Sequence, residues 1–173
     1  TDYLAFGNGA SELFMAIVHS VRPEKILIPI PSFYGYEYVS RAVAAEITFF
    51  PLDEKKAFFP FDDLLDAITD DMDLVFLANP NNPTGKMIEK KYLLRFLTIC
   101  KEKNIIVVLD ECFIEFCGDK YSMISEIEAY GNLLLVRAFT KLYAIPGVRL
   151  GYLVCSNKAL LDKIQWQLPE WNL

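Results

Sequence analysis

Short, continuously apolar runs alternate along this chain with longer stretches of mixed polarity. Runs rich in Ile, Val, Leu and Phe occupy residues 25–29, 47–51, 74–78, 105–109, 133–136 and 151–155. They are too short for core helices and too uniformly apolar for strands wetted on one face, so they predict strands buried on both sides. Between them, residues 11–20, 36–45, 61–68, 89–103 and 158–167 carry apolar positions at helical spacing. The alternation predicts the α/β class: a three-layer α/β/α arrangement around a mostly parallel sheet. With no internal repeat and no low-complexity linker, residues 1–173 read as a single domain. The start at Thr1 without an initiator methionine, and the stop at Leu173, make it read as a segment of a longer polypeptide.

An open sheet of this kind binds ligands at the carboxyl ends of its strands, so the polar residues that follow each run become candidates. They are Pro31-Ser32-Phe33-Tyr34, Asn79 to Gly85, Asp110-Glu111 and Arg137 to Lys141. A fifth place, Phe6 to Glu12, is a glycine-rich entry to a helix. There Gly7 and Gly9 permit close backbone approach, Ser11 is positioned to cap the helix, and free amides suit an anion such as phosphate. A dinucleotide fingerprint would need a third glycine, and Gly85-Lys86 runs into Met87, so no Walker motif is present.

Composition narrows the partners. Hydrophobic residues make up 53% of the 173 and charged residues 23%, richer in apolar groups than an average domain at roughly 45–50%. A formal net charge of -6 argues against nucleic acid, which demands a basic face. No apolar run approaches the roughly 18 residues of a membrane span, and the start carries no signal-peptide pattern. A cytoplasmic protein with a small-molecule partner is expected. Cys100, Cys112, Cys117 and Cys155 lack paired zinc-site spacing and read as buried free thiols, so no metal is expected. His19, on an apolar helix, receives no role. The aromatic positions Phe49, Phe50, Phe58, Phe59 and Phe61 read as core and turn packing.

Some positions carry chemistry more sharply. Asp110 ends the run Ile105 to Leu109, where an unpaired carboxylate is costly and calls for a cationic partner. Glu111 beside it is read as facing the other way, and Arg137 as pairing with Glu111 or meeting a substrate phosphate, with the structural role preferred. In Asn79-Pro80-Asn81-Asn82-Pro83-Thr84-Gly85 two prolines stiffen a turn that presents Asn82 as an amide donor. Lys141 stands among apolar neighbours with Arg149 further on, the setting of a candidate nucleophilic amine.

In this order, the Asn79–Gly85 segment, Asp110, Thr140-Lys141 and Arg149 resemble the signature of the fold-type I pyridoxal-phosphate enzymes of the class I and II aminotransferase family, and the match spans nearly the whole chain. The resemblance implies the large cofactor-binding domain of the aspartate aminotransferase-like fold, pyridoxal 5'-phosphate as cofactor, and a homodimer. It implies that Lys141 is the Schiff-base lysine and proton shuttle. Asp110 resembles the partner of the pyridine nitrogen, Asn82 the donor to the ring hydroxyl and Phe33 the ring stacked on the cofactor. Gly9, Ala10, Ser11, Thr140 and Arg149 resemble the phosphate cup. Phe113 stands where many members carry a tyrosine that also bonds the ring hydroxyl. That departure implies a less stabilised phenolate with Asn82 as its donor, and an imine proton that leaves less easily or is held by another group such as Tyr34.

The runs 110–116 and 139–141 resemble histidinol-phosphate aminotransferases and threonine-phosphate decarboxylases most, and residues 169–173 resemble the decarboxylase linker into a small domain. The implied activity is amino-group transfer between an amino acid or amino-phosphate and a 2-oxo acid. Decarboxylation of a phosphorylated amino acid is the alternative, and a non-catalytic cofactor-binding regulator a third reading.

Overall fold

Strands β1 (Leu4–Asn8), β2 (Lys25–Ile30), β3 (Glu46–Pro51), β4 (Leu74–Ala78), β5 (Ile106–Asp110), β6 (Leu133–Ala138) and β7 (Leu150–Val154) form one sheet in the order β1-β7-β6-β5-β4-β2-β3. The computed structural model describes residues 2–56 and 61–171. Phe58, Phe59, Asn172 and Leu173, given packing or linker readings above, lie outside them. The helices are α1 (Ala10–Val21), α2 (Gly35–Ala42), α3 (Phe61–Asp66), α4 (Lys90–Glu102) and α5 (Lys158–Gln165).

All six apolar runs are strands, and in the five that lie inside the sheet alternate residues enter two different cores; the run 47–51 forms edge strand β3, which has no fully buried residue and so is not the strand buried on both faces expected there. Ile26, Ile28, Leu74, Phe76, Val108, Leu134 and Val136 pack under α1, α2 and α5, together with Leu13, Phe14, Ile17 and Val39. Their neighbours Leu27, Val75, Leu77, Val107, Leu109, Leu133 and Leu135 pack against α3 and α4, where Leu64, Leu93, Phe96 and Leu97 meet them. The predicted three-layer α/β/α fold is therefore present, with the sheet as its middle layer. Phe50 joins the second core, whereas Phe49 is exposed on edge strand β3. Cys100, Cys112 and Cys155 are buried free thiols, and Cys117 is only half-buried. His19 is exposed in the last turn of α1.

Two further features differ from the sequence expectation. The segment read as a helix-entry loop contains a strand, β1, whose burial alternates and whose composition includes Gly7 and Asn8, so it lacks the continuous apolar signal of the central strands. Helix α2 stops at Ala42 rather than at residue 45. Ala44 turns left-handed (φ 57), and the chain then pairs with β2 through Glu46, whose N–H donates to the Glu24 carbonyl at 2.8 Å.

Strand β7 pairs antiparallel with both β1 and β6, and every other pairing is parallel. Gly151 lies between Gly7 of β1 and Ala138 of β6. A Cβ there would stand 2.7 Å from the Gly9 carbonyl carbon and 2.9 Å from the Ala10 nitrogen, both backbone atoms at the start of α1. Only hydrogen at this position lets α1 begin so close to the sheet. Gly151→Ala is expected to force strand and helix apart and to lower unfolding free energy by about 1–3 kcal/mol, measured by urea denaturation; unchanged stability would contradict this packing.

Candidate active site

Because β7 alone is reversed, the carboxyl ends of β1, β2, β4, β5 and β6 and the amino end of β7 share one edge of the sheet. A cleft opens there, lined by Ala10 and Ser11 after β1, Phe33 after β2, Asn82 after β4, Asp110, Cys112 and Phe113 at the end of β5, Ala138, Thr140 and Lys141 at the end of β6, Arg149 before β7, and Phe14. The sequence-selected residues meet in this one place, with Gly9 immediately behind Arg149.

At one end of the cleft α1 presents its first turn. Gly9 occupies the N-cap with φ 79, and no side chain caps the helix. Ser11 therefore is not the cap expected from the sequence: it lies inside the first turn, while Glu12 reaches back to accept from the Asn8 N–H at 2.7 Å. A Cβ on Gly9 would meet Arg149 Nη2 at 2.7 Å, so the glycine makes room for the guanidinium above the helix start. Helix amides, a guanidinium and the hydroxyls of Ser11 and Thr140 form a donor set suited to an anion with several oxygens.

At the other end stands Asp110. Tyr36 donates its hydroxyl to Oδ2 at 2.6 Å, and the Cys112 N–H donates to Oδ1 at 2.8 Å. Burial pushes the Asp110 carboxyl above its ordinary range, while bonds from Cys112 and Tyr36 and the charge of Lys141 pull it back. The Lys141 ammonium lies 5.6 Å from the centre of the Phe113 ring, within cation–π reach. The apolar neighbours expected to enclose Lys141 do not: Leu142, Tyr143, Ile145 and Val148 are exposed, because 139–149 is the return loop between two strands.

The Asn-Pro turn is held by its own amides. Asn79 is fully buried and accepts from the Ile88 N–H at 2.8 Å, and Asn81 donates to the Pro31 carbonyl at 3.1 Å and to Thr84 at 2.9 Å. Those bonds fix the loop and leave Asn82 on the cleft wall. Tyr34 is exposed and does not line the cleft, so the second group suggested for it is not there. Among the described residues no group of three or more His, Cys, Asp or Glu side chains could hold a metal ion, and no helix is long and apolar enough to cross a membrane.

Residues 1–169 match the family model described as aminotransferase class I and II. The chain belongs to that family. It is 34% identical over 172 residues to threonine-phosphate decarboxylase of Salmonella typhimurium, covering 99% of this chain and 47% of that protein. To histidinol-phosphate aminotransferase of Methanococcus aeolicus it is 32% identical over 170 residues, covering 96% and 45%. The solved histidinol-phosphate aminotransferase from Clostridium acetobutylicum aligns with a TM-score of 0.89 at 38% identity, covering 98% of this chain and 50% of that one. The chain spans about half the length of the curated relatives it matches. The class I and II aminotransferases depend on pyridoxal phosphate, and the cleft fits that group: an anion cradle made by the bare Gly9 at one end, a carboxylate at the other, aromatic walls and a primary amine between.

Beside the half-buried Asp110 the chain carries a fully buried carboxylate, Glu111. By strand alternation Asp110 falls on the α1 face and Glu111 on the opposite one, where Arg137 Nη2 donates to Oε2 at 2.9 Å, Ser122 donates to Oε2 at 2.7 Å and the Met123 N–H donates to Oε1 at 2.8 Å. Burial pushes the Glu111 carboxyl up, and these donors hold it down. The sequence reading of Arg137 as a structural partner of Glu111 holds. Sequence reasoning missed Tyr36, whose signal was its place three residues after Phe33, and Cys112, which stands two residues after Asp110.

Replacing Arg137 by Met strands the Glu111 charge in the core and is expected to cost about 3–5 kcal/mol in denaturant unfolding. Glu111→Gln combined with Arg137→Met should cost clearly less than Arg137→Met alone.

Proposed function

We propose that residues 1–173 are the cofactor-binding domain of a cytoplasmic, homodimeric pyridoxal-phosphate aminotransferase, which exchanges an amino group between an amino acid or amino-phosphate and a 2-oxo acid. The observation that carries this reading is the convergence of Lys141, Asp110, Asn82 and the Arg149 anion cradle on one cleft. Bound there, the cofactor supplies an aldehyde for amines and an electron-poor ring that accepts the electron pair released at the substrate α-carbon.

The residues divide the work around it. Lys141 would hold the aldehyde through Nζ and, as a free amine, would take and return the proton at the substrate α-carbon. Asp110 would support a protonated pyridine nitrogen, and Asn82 would serve as the amide donor to the ring hydroxyl. Phe33 and Phe113 would cover the ring and keep water away. Arg149, Ser11, Thr140 and the amides of Gly9 and Ala10 would hold the phosphate.

Both kinds of relative are named for phosphorylated substrates, which supports an amino-phosphate here. Decarboxylation of a phosphorylated amino acid is the second reading. It is favoured by Phe113, which brings no hydroxyl to the cleft wall.

Two measurements test the proposal. Borohydride treatment of the full-length protein with pyridoxal phosphate should leave the pyridoxyl mark on Lys141, and Lys141→Ala should abolish it; a mark mapped to another lysine overturns the assignment. Incubation with histidinol phosphate or phosphothreonine and 2-oxoglutarate should yield glutamate in proportion to substrate consumed. Carbon dioxide released without glutamate would decide for the second reading.

A further inference from the structure

Tyr36 is buried beneath the cleft without lining it. It is 1% exposed, its ring stacks on Phe76 with centroids 4.9 Å apart and planes 8° from parallel, and Phe14 and Phe33 meet it edge-on at 5.3 Å and 5.6 Å. A ring held on these sides has little freedom, and its hydroxyl points at one acceptor, Asp110 Oδ2, at 2.6 Å. That separation is the range of a hydroxyl bonded to a charged oxygen. Burial and the Asp110 charge both push the Tyr36 phenol well above its ordinary range, so the proton stays on the tyrosine and the carboxylate is the acceptor.

Asp110 has an unusual need of such a donor. Among the described residues no cation forms an ion pair with it, in contrast to Glu111, which has Arg137. Its carboxylate is held by a phenol and a backbone amide, neutral groups that support a negative charge without cancelling it. The uncancelled charge remains available to a cationic ring nitrogen in the cleft. The edge contact to Phe33 ties the same tyrosine to the cleft's aromatic wall.

We propose that Tyr36 is a positioning residue for the cofactor: its hydroxyl keeps the Asp110 carboxylate anionic and aimed at the pyridine nitrogen, while its ring sets the plane of Phe33. The inference rests on the reading of Asp110 as the partner of that nitrogen. Tyr36 does not touch the cofactor, so its effect must pass through the charge on the ring nitrogen.

The test is Tyr36→Phe, which keeps the ring and its stacking and removes one oxygen. Dissociation constants are measured by absorbance titration of the full-length apoprotein with pyridoxal phosphate and with the analogue whose ring nitrogen is replaced by carbon. The variant should bind pyridoxal phosphate about tenfold more weakly, as expected for one hydrogen bond to a charged group, and should bind the carbon analogue within about twofold of the parent. Equal weakening toward both ligands, no weakening toward either, or a variant that fails to fold assigns the hydroxyl to general packing and overturns the proposal. A parent protein that binds no pyridoxal phosphate would instead sink the cofactor reading itself.

Discussion

The direction of one strand governs what can meet at the carboxyl edge of this sheet. Had β7 run parallel to β6, Arg149 would enter it at the far edge, about 17 Å away for a strand of this length. Running antiparallel, β7 needs no helical crossover, and residues 139–149 suffice to turn the chain round. That single connection carries Thr140, Lys141 and Arg149, so the hydroxyl, the amine and the guanidinium reach the cleft together. The same reversal brings Gly151 against Gly9 and Ala10, where the absence of a side chain lets α1 start directly over the edge.

Strand alternation then separates two adjacent carboxylates into different jobs. Asp110 and Glu111 are consecutive, yet one side chain turns under α1 and α2 and the other toward the α4 face. Burying an ion costs several kcal/mol unless hydrogen bonds and countercharge offset it. Glu111 receives both from Arg137, with Ser122 and Met123 completing its shell, and its charge is spent inside the protein. Asp110 receives hydrogen bonds from neutral donors only, so the negative charge persists at the cleft. The contrast in partners separates a carboxylate neutralised inside the protein from one left charged at the cleft.

Much of this was legible in the sequence, for a physical reason. A strand buried on both faces must be apolar throughout, and the residues that follow it must lie at the sheet edge, so five of the six runs located the interior of the sheet and most of the cleft, while the sixth marks the half-wetted edge strand β3. The rest was hidden for equally physical reasons. Strand β1 is half-wetted and contains glycine, so it reads as a loop. An apolar run looks the same in either direction, so the reversal of β7 left no mark in the pattern. Neighbours in sequence suggested an enclosed Lys141, but Leu142, Tyr143 and Ile145 point outward from a return loop. Within Tyr34-Gly35-Tyr36-Glu37-Tyr38, composition could not tell that Tyr36 is 1% exposed while Tyr34 is 68% exposed; helix α2 turns only one of the three tyrosines into the core.

The cleft joins a fixed half to a less restrained one. Asp110 is anchored by β5, by the Cys112 amide and by a tyrosine wedged among three aromatic rings, and the Asn79–Gly85 turn is cross-bonded to itself and to Pro31. Lys141 instead opens a loop whose side chains from residue 141 through 149 are exposed and which holds itself by turn bonds such as Ala144 N–H to the Lys141 carbonyl. Segments with few buried contacts open most easily. This asymmetry suits the proposed roles: a carboxylate that would support a ring charge is held in place, whereas an amine that would carry a proton at the substrate α-carbon would have to move. The core anchors Asp110, and the return loop carries Lys141.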